Sequence, residues 1–228
     1  MRGFCLYQNE LYILMQWIDK LAEDYASTYT SALDNVLQQV YDDTVAHHPE
    51  AHMISGPVQG KFLEFISYLL QPKYILEIGT FTGFSAICLA KGLKPGGELH
   101  TIEMREEDAN TAWKNISAAG VSDKIHLHRG DAREIIKQLP HKWDLVFIDA
   151  DKTSYITYYE EALQRLSDRG FILADNVLFH GQVLEEKIDG KSAKAIAQFN
   201  NHVLNDQRTE QVFLTVRDGL LLIKNKSR

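Results

Sequence analysis

Short apolar runs alternate with helical segments along most of this chain, and this alternation limits its possible folds more than any other feature. The runs that are typical of strands cover residues 74–78, 99–102, 125–128, 144–148, 171–174, 211–216 and 220–224. The segments between them, at 85–93, 107–119, 132–139, 155–166 and 192–204, have the apolar spacing of helices. Strands that alternate with helices form a parallel sheet with helices on both faces. The sequence therefore predicts a doubly wound, mostly parallel α/β sheet of seven strands, whose last strand follows a hairpin turn and is antiparallel.

The length and composition favour one globular domain. A chain of 228 residues with 45% hydrophobic and 24% charged residues can bury a substantial core. We expect a single domain over 1–228, with 1–56 as a helical N-terminal extension and cap and 57–228 as the catalytic core. Pro57 suits the first turn of a helix, and the expected buried stripe of that helix is Val58, Phe62, Phe65, Ile66 and Leu69.

Charge and targeting signals limit the partners. A net charge of −7 argues against a general nucleic-acid binder, because such proteins bind by neutralising phosphates. The apolar segment 11–18 is too short to span a bilayer and has no cleavage site after it, so we expect no membrane association and no secretory signal. The first fourteen residues are expected to be a loosely specified extension, with Met15 as an alternative start. Cys5 and Cys88 do not make a disulfide framework, Cys88 is expected in the core, and a cytoplasmic location fits best.

Acidic clusters directly follow two of the predicted strands. Asp149-Ala-Asp-Lys152 follows one, and Asp175-Asn176 follows the next. The carboxyl ends of neighbouring parallel strands meet at one crevice, where ligands bind. Asp149, Asp175 and Asn176 therefore predict a divalent metal site, for magnesium first and for manganese or calcium as alternatives. Lys152 is a candidate proton acceptor there. The alternatives are that the aspartates cap helices or make surface pairs, and that Lys152 only pairs with Asp149 or Asp151.

A glycine turn after the first strand indicates a nucleotide-like cofactor. Gly79 and Gly83 are separated by three residues, and Phe81 stands where the dinucleotide fingerprint requires its second glycine. That glycine lets the backbone approach a pyrophosphate closely, so a bulky Phe81 disfavours NAD or FAD. A cofactor without phosphates, such as S-adenosylmethionine, fits the turn better.

Two further acids follow the next strands. Glu103 ends the second strand, 24 residues after Gly79, where a carboxylate can accept hydrogen bonds from both ribose hydroxyls. Asp131 follows the third strand and could accept a hydrogen bond from the adenine amine. A helix N-cap is an equally good reading of Asp131, and both roles can coexist.

With these residues in place, the chain resembles the cation-dependent O-methyltransferases, which include catechol and caffeoyl-CoA O-methyltransferases. The resemblance runs from about Tyr29 to Lys224 and depends most on 76–85, 147–152 and 173–177. It implies a Rossmann-like fold of the class I S-adenosylmethionine-dependent methyltransferases. By motif, Asp149, Asp175 and Asn176 match metal ligands, and Lys152 matches the proposed general base, with Asp149 as its catalytic neighbour. The positions that match the cofactor site are Met53, Ser55, Glu77, Gly79, Phe81, Gly83, Ser85, Glu103, Asp131, Ala132 and Asp149.

The resemblance also implies a reaction, in which a cation binds both oxygens of a catechol-like small molecule and Lys152 removes a proton before methyl transfer. A flavonoid, a caffeoyl thioester, a catechol or a modified RNA base are conceivable acceptors, and a small phenol fits the charge balance best. A homodimer is expected. The alternatives are an NAD-type oxidoreductase of similar topology and a non-catalytic S-adenosylmethionine-binding protein.

The nine histidines do not predict a zinc site. His47, His48, His52, His126 and His128 lack zinc-like spacing with the cysteines and are expected to be surface or supporting residues. His180 follows the second acidic motif closely enough to be a candidate for the substrate mouth.

Overall fold

The predicted strands form one sheet. In the computed structural model, which describes residues 20–226, seven strands pair in the order β3-β2-β1-β4-β5-β7-β6. They are β1 (Tyr74–Ile78), β2 (Glu98–Glu103), β3 (Ile125–Arg129), β4 (Trp143–Ile148), β5 (Leu166–Asp175), β6 (Thr209–Leu214) and β7 (Leu220–Asn225). Strands β1 to β5 are parallel, and β7 is antiparallel to both of its neighbours. The predicted α/β fold with an antiparallel last strand is confirmed.

Helices cover both faces of this sheet. The α-helices within the described residues are α1 (Lys20–Tyr29), α2 (Asn35–His47), α3 (Pro57–Leu70), α4 (Phe84–Ala90), α5 (Glu106–Ala118), α6 (Ala132–Gln138), α7 (Tyr155–Gln164) and α8 (Lys191–Asn205). Short 3-10 turns lie at Ala51–Met53, Lys152–Ser154 and Gln182–Leu184. Among these helices, none combines the length and hydropathy that crossing a membrane requires.

The apolar strands are continuous because both faces of the sheet are buried. On one face, Val146 and Ile148 of β4 belong to a cluster with Tyr155 and Phe199. On the other face, Phe147 belongs to a second cluster, which includes residues of α2, α3 and α4. Successive strand residues point to opposite faces, so an apolar residue is needed at every position.

The predicted buried stripe of α3 is correct in part: Phe62 and Ile66 pack against the second cluster, but two of its members are exposed. Phe65 and Leu69 are 58% and 79% exposed, while Gln59, Gly60, Leu63 and Ser67 are buried. A Cβ atom added to Gly60 would lie 2.6 Å from the Phe84 ring of α4, so small residues determine which face of α3 packs. Hydrophobic spacing alone cannot reveal a contact that depends on the absence of a side chain.

The N-terminal helices contribute to the core. Leu37 and Val40 of α2 are buried in the second cluster, and Cys88 is buried as predicted. Thr44 donates a hydrogen bond to the Thr82 hydroxyl over 3.1 Å, which joins α2 to the glycine turn. The expectations for Cys5, the first fourteen residues and Met15 lie outside the described residues. The division at residue 56 stays a prediction.

Candidate active site

The glycine turn lies where β1 meets β4. Gly79 has a φ of +98°, and a Cβ atom there would lie 1.9 Å from the backbone oxygen of Asp149. Its N–H donates to the Ile102 carbonyl of β2 over 3.1 Å. Only glycine allows three strand ends to approach this closely, and the approach places Asp149 beside the turn.

A cavity of about 540 Å³ opens at the carboxyl ends of β1, β2, β4 and β5. The predicted site residues that line it are Met53, Ser55, Gly79, Phe81, Glu103, Ala132, Asp149, Lys152, Asp175 and Asn176. Glu77, Gly83, Ser85 and Asp131 do not line it, and their cofactor contacts stay predictions. A larger open groove of about 1260 Å³ lies at the opposite strand ends, beside Asp144 and Asp168. None of the predicted catalytic, cofactor or metal residues lines it.

Glu103 fixes two walls of this cavity. Its carboxylate accepts hydrogen bonds from the backbone N–H of Phe81 over 2.8 Å and of Arg105 over 2.9 Å. Phe81 has a φ of +50°, a conformation that is uncommon for a residue with a side chain, and its N–H contact with Glu103 helps to hold the turn in this form. Each carboxylate oxygen keeps a free lone pair, so Glu103 can still accept hydrogen bonds from a ligand.

Glu77 lies in the layer beneath the turn. It is fully buried, and its Oε2 atom accepts a hydrogen bond from Thr101 over 2.5 Å. Burial raises the pKa of Glu77 to about 8. Its Oε1 atom makes no hydrogen bond of normal geometry, although the neighbouring Ser85 hydroxyl acts to lower the pKa of this carboxyl group. Glu77 is therefore a buried acceptor.

Asp131 caps α6, which was one of its two expected roles. Its side chain accepts a hydrogen bond from the Arg133 N–H over 2.9 Å, and the Arg133 guanidinium also binds the carboxylate. These hydrogen bonds lower the pKa of Asp131. The adenine contact stays a prediction.

Lys152 joins the two acidic motifs. Its Nζ atom donates to Oδ1 of Asp149 over 3.0 Å, to Oδ1 of Asn176 over 2.8 Å and to the Tyr155 hydroxyl over 2.7 Å. Tyr155 in turn donates to the backbone oxygen of Asp175 over 2.9 Å. The ammonium thus binds oxygens of two of the three predicted metal ligands.

Asp175 is held by Asn176 and by Gln59, a residue that the sequence did not single out. Gln59 of α3 donates a hydrogen bond to Oδ2 of Asp175, and the Asn176 N–H donates to Oδ1 over 2.7 Å. Arg217 donates to Oε1 of Gln59 over 3.0 Å, so Gln59 stands between the guanidinium and the carboxylate.

The β6–β7 hairpin reaches the same motif through Asp218. This residue accepts hydrogen bonds from the Asn176 amide over 3.2 Å and from the His180 N–H over 2.6 Å. The sequence identified Arg217-Asp218-Gly219 only as a turn, and no local signal indicated these contacts. His180 lines the cavity beside Phe179, as its expected place at the mouth requires.

The charges of this cluster are unbalanced. Burial raises the pKa of Asp175, and the nearby Asp149 carboxylate raises it further. Burial alone disfavours a charged Lys152, but Tyr155 and Asp149 outweigh burial and raise the pKa of the amine. Lys152 is therefore a charged ammonium in this arrangement and faces the carboxylates of Asp149 and Asp175. In this form it cannot accept a proton.

Comparisons with known proteins agree with this geometry. Residues 26–226 match a family model described as O-methyltransferase. The chain is 41% identical over 150 residues to a catechol O-methyltransferase of Niastella koreensis, covering 64% of this chain and 67% of that protein. It is 31% identical to a probable caffeoyl-CoA O-methyltransferase of Dictyostelium discoideum, covering 88% and 89% of the two chains.

Solved structures show the same architecture. An O-methyltransferase from Bacillus cereus in complex with SAH has a TM-score of 0.83 and 30% identity, covering 90% of this chain and 97% of that one. An SAH-bound methyltransferase of Podospora anserina has a TM-score of 0.85 and 26% identity, covering 91% and 95%.

Proposed function

Since this chain belongs to the O-methyltransferase family, as an S-adenosylmethionine-dependent enzyme of the catechol and caffeoyl-CoA type, we propose that it methylates a hydroxyl of a catechol-like small molecule with the help of a divalent cation. The family assignment argues against the two alternative functions, an NAD-type oxidoreductase and a non-catalytic binding protein. The observation that carries the proposal is the meeting of Asp149, Asn176 and Lys152 at one point of the cavity, next to Asp175.

The cavity suits S-adenosylmethionine. Glu103, Met53 and Ser55 line it, and we assign Glu103 to the ribose hydroxyls and the other two to the methionine end. Gly79 lets the turn that we assign to the cofactor lie directly against the backbone of Asp149. When bound, this cofactor supplies an electrophilic methyl group.

A hard divalent cation fits the donors at the acidic motifs. Asp149, Asp175 and Asn176 offer carboxylate and amide oxygens, which are the ligands that magnesium, manganese and calcium prefer. Oδ1 of Asp149 and Oδ1 of Asn176 already bind a cationic group, the Lys152 ammonium. The Asp149 and Asp175 carboxylates together carry more negative charge than this single ammonium neutralises. When bound, the cation supplies a Lewis acid that lowers the pKa of a phenol, which is otherwise about 10.

The chain itself positions the acceptor and receives the proton. Gln59 donates a hydrogen bond to Asp175 and is itself bound by Arg217, while Phe179 and His180 line the mouth of the cavity. Lys152 can accept the phenol proton at Nζ only from its neutral form. Additional positive charge next to Asp149 favours that form, because it offsets the carboxylates that raise the pKa of the amine. Methyl transfer then needs the phenolate oxygen in line with the sulfonium, which positioning in the cavity provides.

The test is a methyl-transfer assay with labelled S-adenosylmethionine and a panel of matched phenols. Each vicinal diol, in catechol, caffeoyl thioester and flavonoid form, is paired with the same molecule lacking one hydroxyl. We expect transfer to the diols, little transfer to the single phenols, loss of activity in excess chelator and recovery with magnesium or manganese. Full activity in chelator would rule out the metal, and equal transfer to single phenols would rule out catechol recognition. The homodimer and the cytoplasmic location remain proposals.

A further inference from the structure

Four histidines lie together on one face of the sheet, away from the cavity. His100 is on β2, His126 and His128 are on β3, and His141 lies between α6 and β4. His100 is the register partner of His126, and Glu98 shares the face of His100 because it lies two residues earlier on β2. The fold thus gathers four imidazoles and one carboxylate from three separate segments.

The ligand atoms of this cluster are close together. Nε2 of His100 lies 3.4 Å from Oε2 of Glu98, and Nε2 of His126 lies 3.6 Å from the same oxygen. The ligand atoms of Glu98, His100 and His141 all lie within 4.8 Å of one another. Two ligands of a tetrahedral zinc ion, each bonded at about 2.0–2.1 Å, are about 3.3 Å apart. The separation between Glu98 and His100 is therefore close to that of two zinc ligands.

His128 holds His100 in a suitable orientation. Nδ1 of His100 and Nε2 of His128 are 2.9 Å apart, and the two rings are stacked with centroids 5.2 Å apart. With Nδ1 engaged by His128, Nε2 of His100 faces Glu98 and hydrogen-bonds its carboxylate over 3.4 Å, and a metal ion would replace that hydrogen bond. Metal-binding histidines commonly hydrogen-bond a neighbour through their second ring nitrogen in this way.

The surroundings also favour neutral imidazoles. Burial and the neighbouring histidines lower the pKa of His100 to about 4, and burial lowers the pKa of His128. Only the neutral ring binds a metal. In the described part of the chain, the ion-pair contacts of Glu98 are with His100 and His126, so no lysine or arginine competes for its carboxylate.

A second histidine–carboxylate group in the described residues provides a contrast. Glu160, His202 and Asp206 also lie close together, but Arg208 binds Glu160 over 2.7 Å and Asp206 over 2.6 Å. An ion there would have to displace the Arg208 guanidinium. Within the described residues, Glu98 pairs only with histidines, so an ion beside it meets no such competition.

We propose that Glu98, His100 and His141 form a second metal site, for a transition-metal ion of the zinc type, with His126 as a possible fourth ligand and His128 as a positioning residue. Imidazole ligands select zinc, copper or nickel over magnesium, so this site and the acidic motifs bind different classes of ion. The ion would tie β2 and the segment before β4 together, which stabilises the folded chain.

The experiment titrates Zn²⁺ into the full chain in magnesium-containing buffer and locates the ion by anomalous scattering at the zinc edge. Glu98→Gln and His141→Gln each remove one half-buried ligand, and His47→Gln is the control at an exposed histidine of α2. We expect an anomalous peak between Glu98, His100 and His141, and an affinity at least tenfold weaker in the two ligand variants than in wild type and His47→Gln.

Thermal unfolding is a second readout, independent of activity. Zn²⁺ should raise the melting temperature of wild type and His47→Gln, with a smaller rise in both ligand variants. His128→Gln should weaken binding by about 10–100-fold, because it removes the partner that orients His100. Equal zinc affinity in wild type, Glu98→Gln and His141→Gln would overturn the proposal, as would an anomalous peak found only at the acidic motifs.

Discussion

The Lys152 amine donates a hydrogen bond to Oδ1 of Asn176 over 2.8 Å, although the two residues are 24 positions apart in the sequence. This bond joins the loops that follow β4 and β5. It also means that Lys152 and a metal compete for the same amide oxygen. Loading the site and releasing the amine are therefore expected to occur together.

Asp175→Ala should abolish turnover and leave S-adenosylmethionine affinity within a few-fold of wild type. The loss of a ligand from the proposed metal site would remove several kcal/mol of transition-state stabilisation, which is about a thousandfold or more in rate. Turnover and calorimetric cofactor binding are the measurements. Asp168→Ala is the control, because Asp168 is an exposed carboxylate on the same strand. Equal losses of turnover and cofactor binding would indicate a different role for Asp175.

Lys152→Arg and Lys152→Met should both lower kcat by about 100-fold or more, with a smaller effect on KM. Arginine keeps the positive charge next to Asp149 but cannot give up its proton at any accessible pH. Steady-state kinetics on one catechol distinguishes the two readings of Lys152. If Lys152→Arg retained wild-type kcat, Lys152 would be an ion-pair partner and not the base.

Gln59→Leu should destabilise the fold by about 1–3 kcal/mol, because it leaves the Asp175 carboxylate and the Arg217 guanidinium without their shared partner. Urea unfolding measures this change. Gln39→Leu, at an exposed position of α2, is the matched control and should change stability by less than about 0.5 kcal/mol. Equal effects of the two variants would show that Gln59 does not brace Asp175.

Gly79→Ala should destabilise the chain strongly, since the new Cβ would collide with the backbone oxygen of Asp149. Gly96→Ala is the control: Gly96 also has a positive φ, of +71°, but nothing lies within 4 Å of its added Cβ. The control should show only the left-handed strain of about 1–2 kcal/mol. Comparable melting temperatures for the two variants would contradict the close approach at Gly79.

Glu77→Gln should gain stability relative to wild type as the pH rises from 5 to 8. The pKa of Glu77 is 4.5 in its ordinary state and about 8 in the folded chain, because it is buried. In that window the unfolded chain loses the proton while the folded chain keeps it, so rising pH favours unfolding of wild type. Urea unfolding at both pH values measures the difference, and Glu107→Gln, at an exposed glutamate, is the control. A difference between Glu77→Gln and wild type that stays constant with pH would contradict the burial effect.

The sheet and the acidic cluster could be predicted because both follow from short-range patterns. Apolar runs identify buried parallel strands, and the geometry of a parallel sheet brings the residues after β4 and β5 together. The proximity of Asp149, Lys152 and Asn176 could therefore be predicted without knowledge of side-chain packing.

The remaining contacts depend on distant residues. Gln59 and Arg217 are 158 positions apart, and nothing near either residue indicates that they meet. The packed face of α3 is determined by Gly60 and Ser67, which periodicity does not count as core residues. Spacing from the cysteines does not indicate His100 and His141, because sheet register brings His100 beside His126 and the fold brings the loop of His141 to the same place.

The hydrogen bond between Thr44 and Thr82 limits how far the enzyme can be shortened. Thr82 belongs to the glycine turn, which we propose receives the cofactor, and its partner Thr44 belongs to the second helix of the N-terminal part. A version that starts at residue 57 would keep every proposed metal ligand and yet lose Met53, Ser55 and the support of that loop, so the minimal catalytic unit must begin ahead of α2.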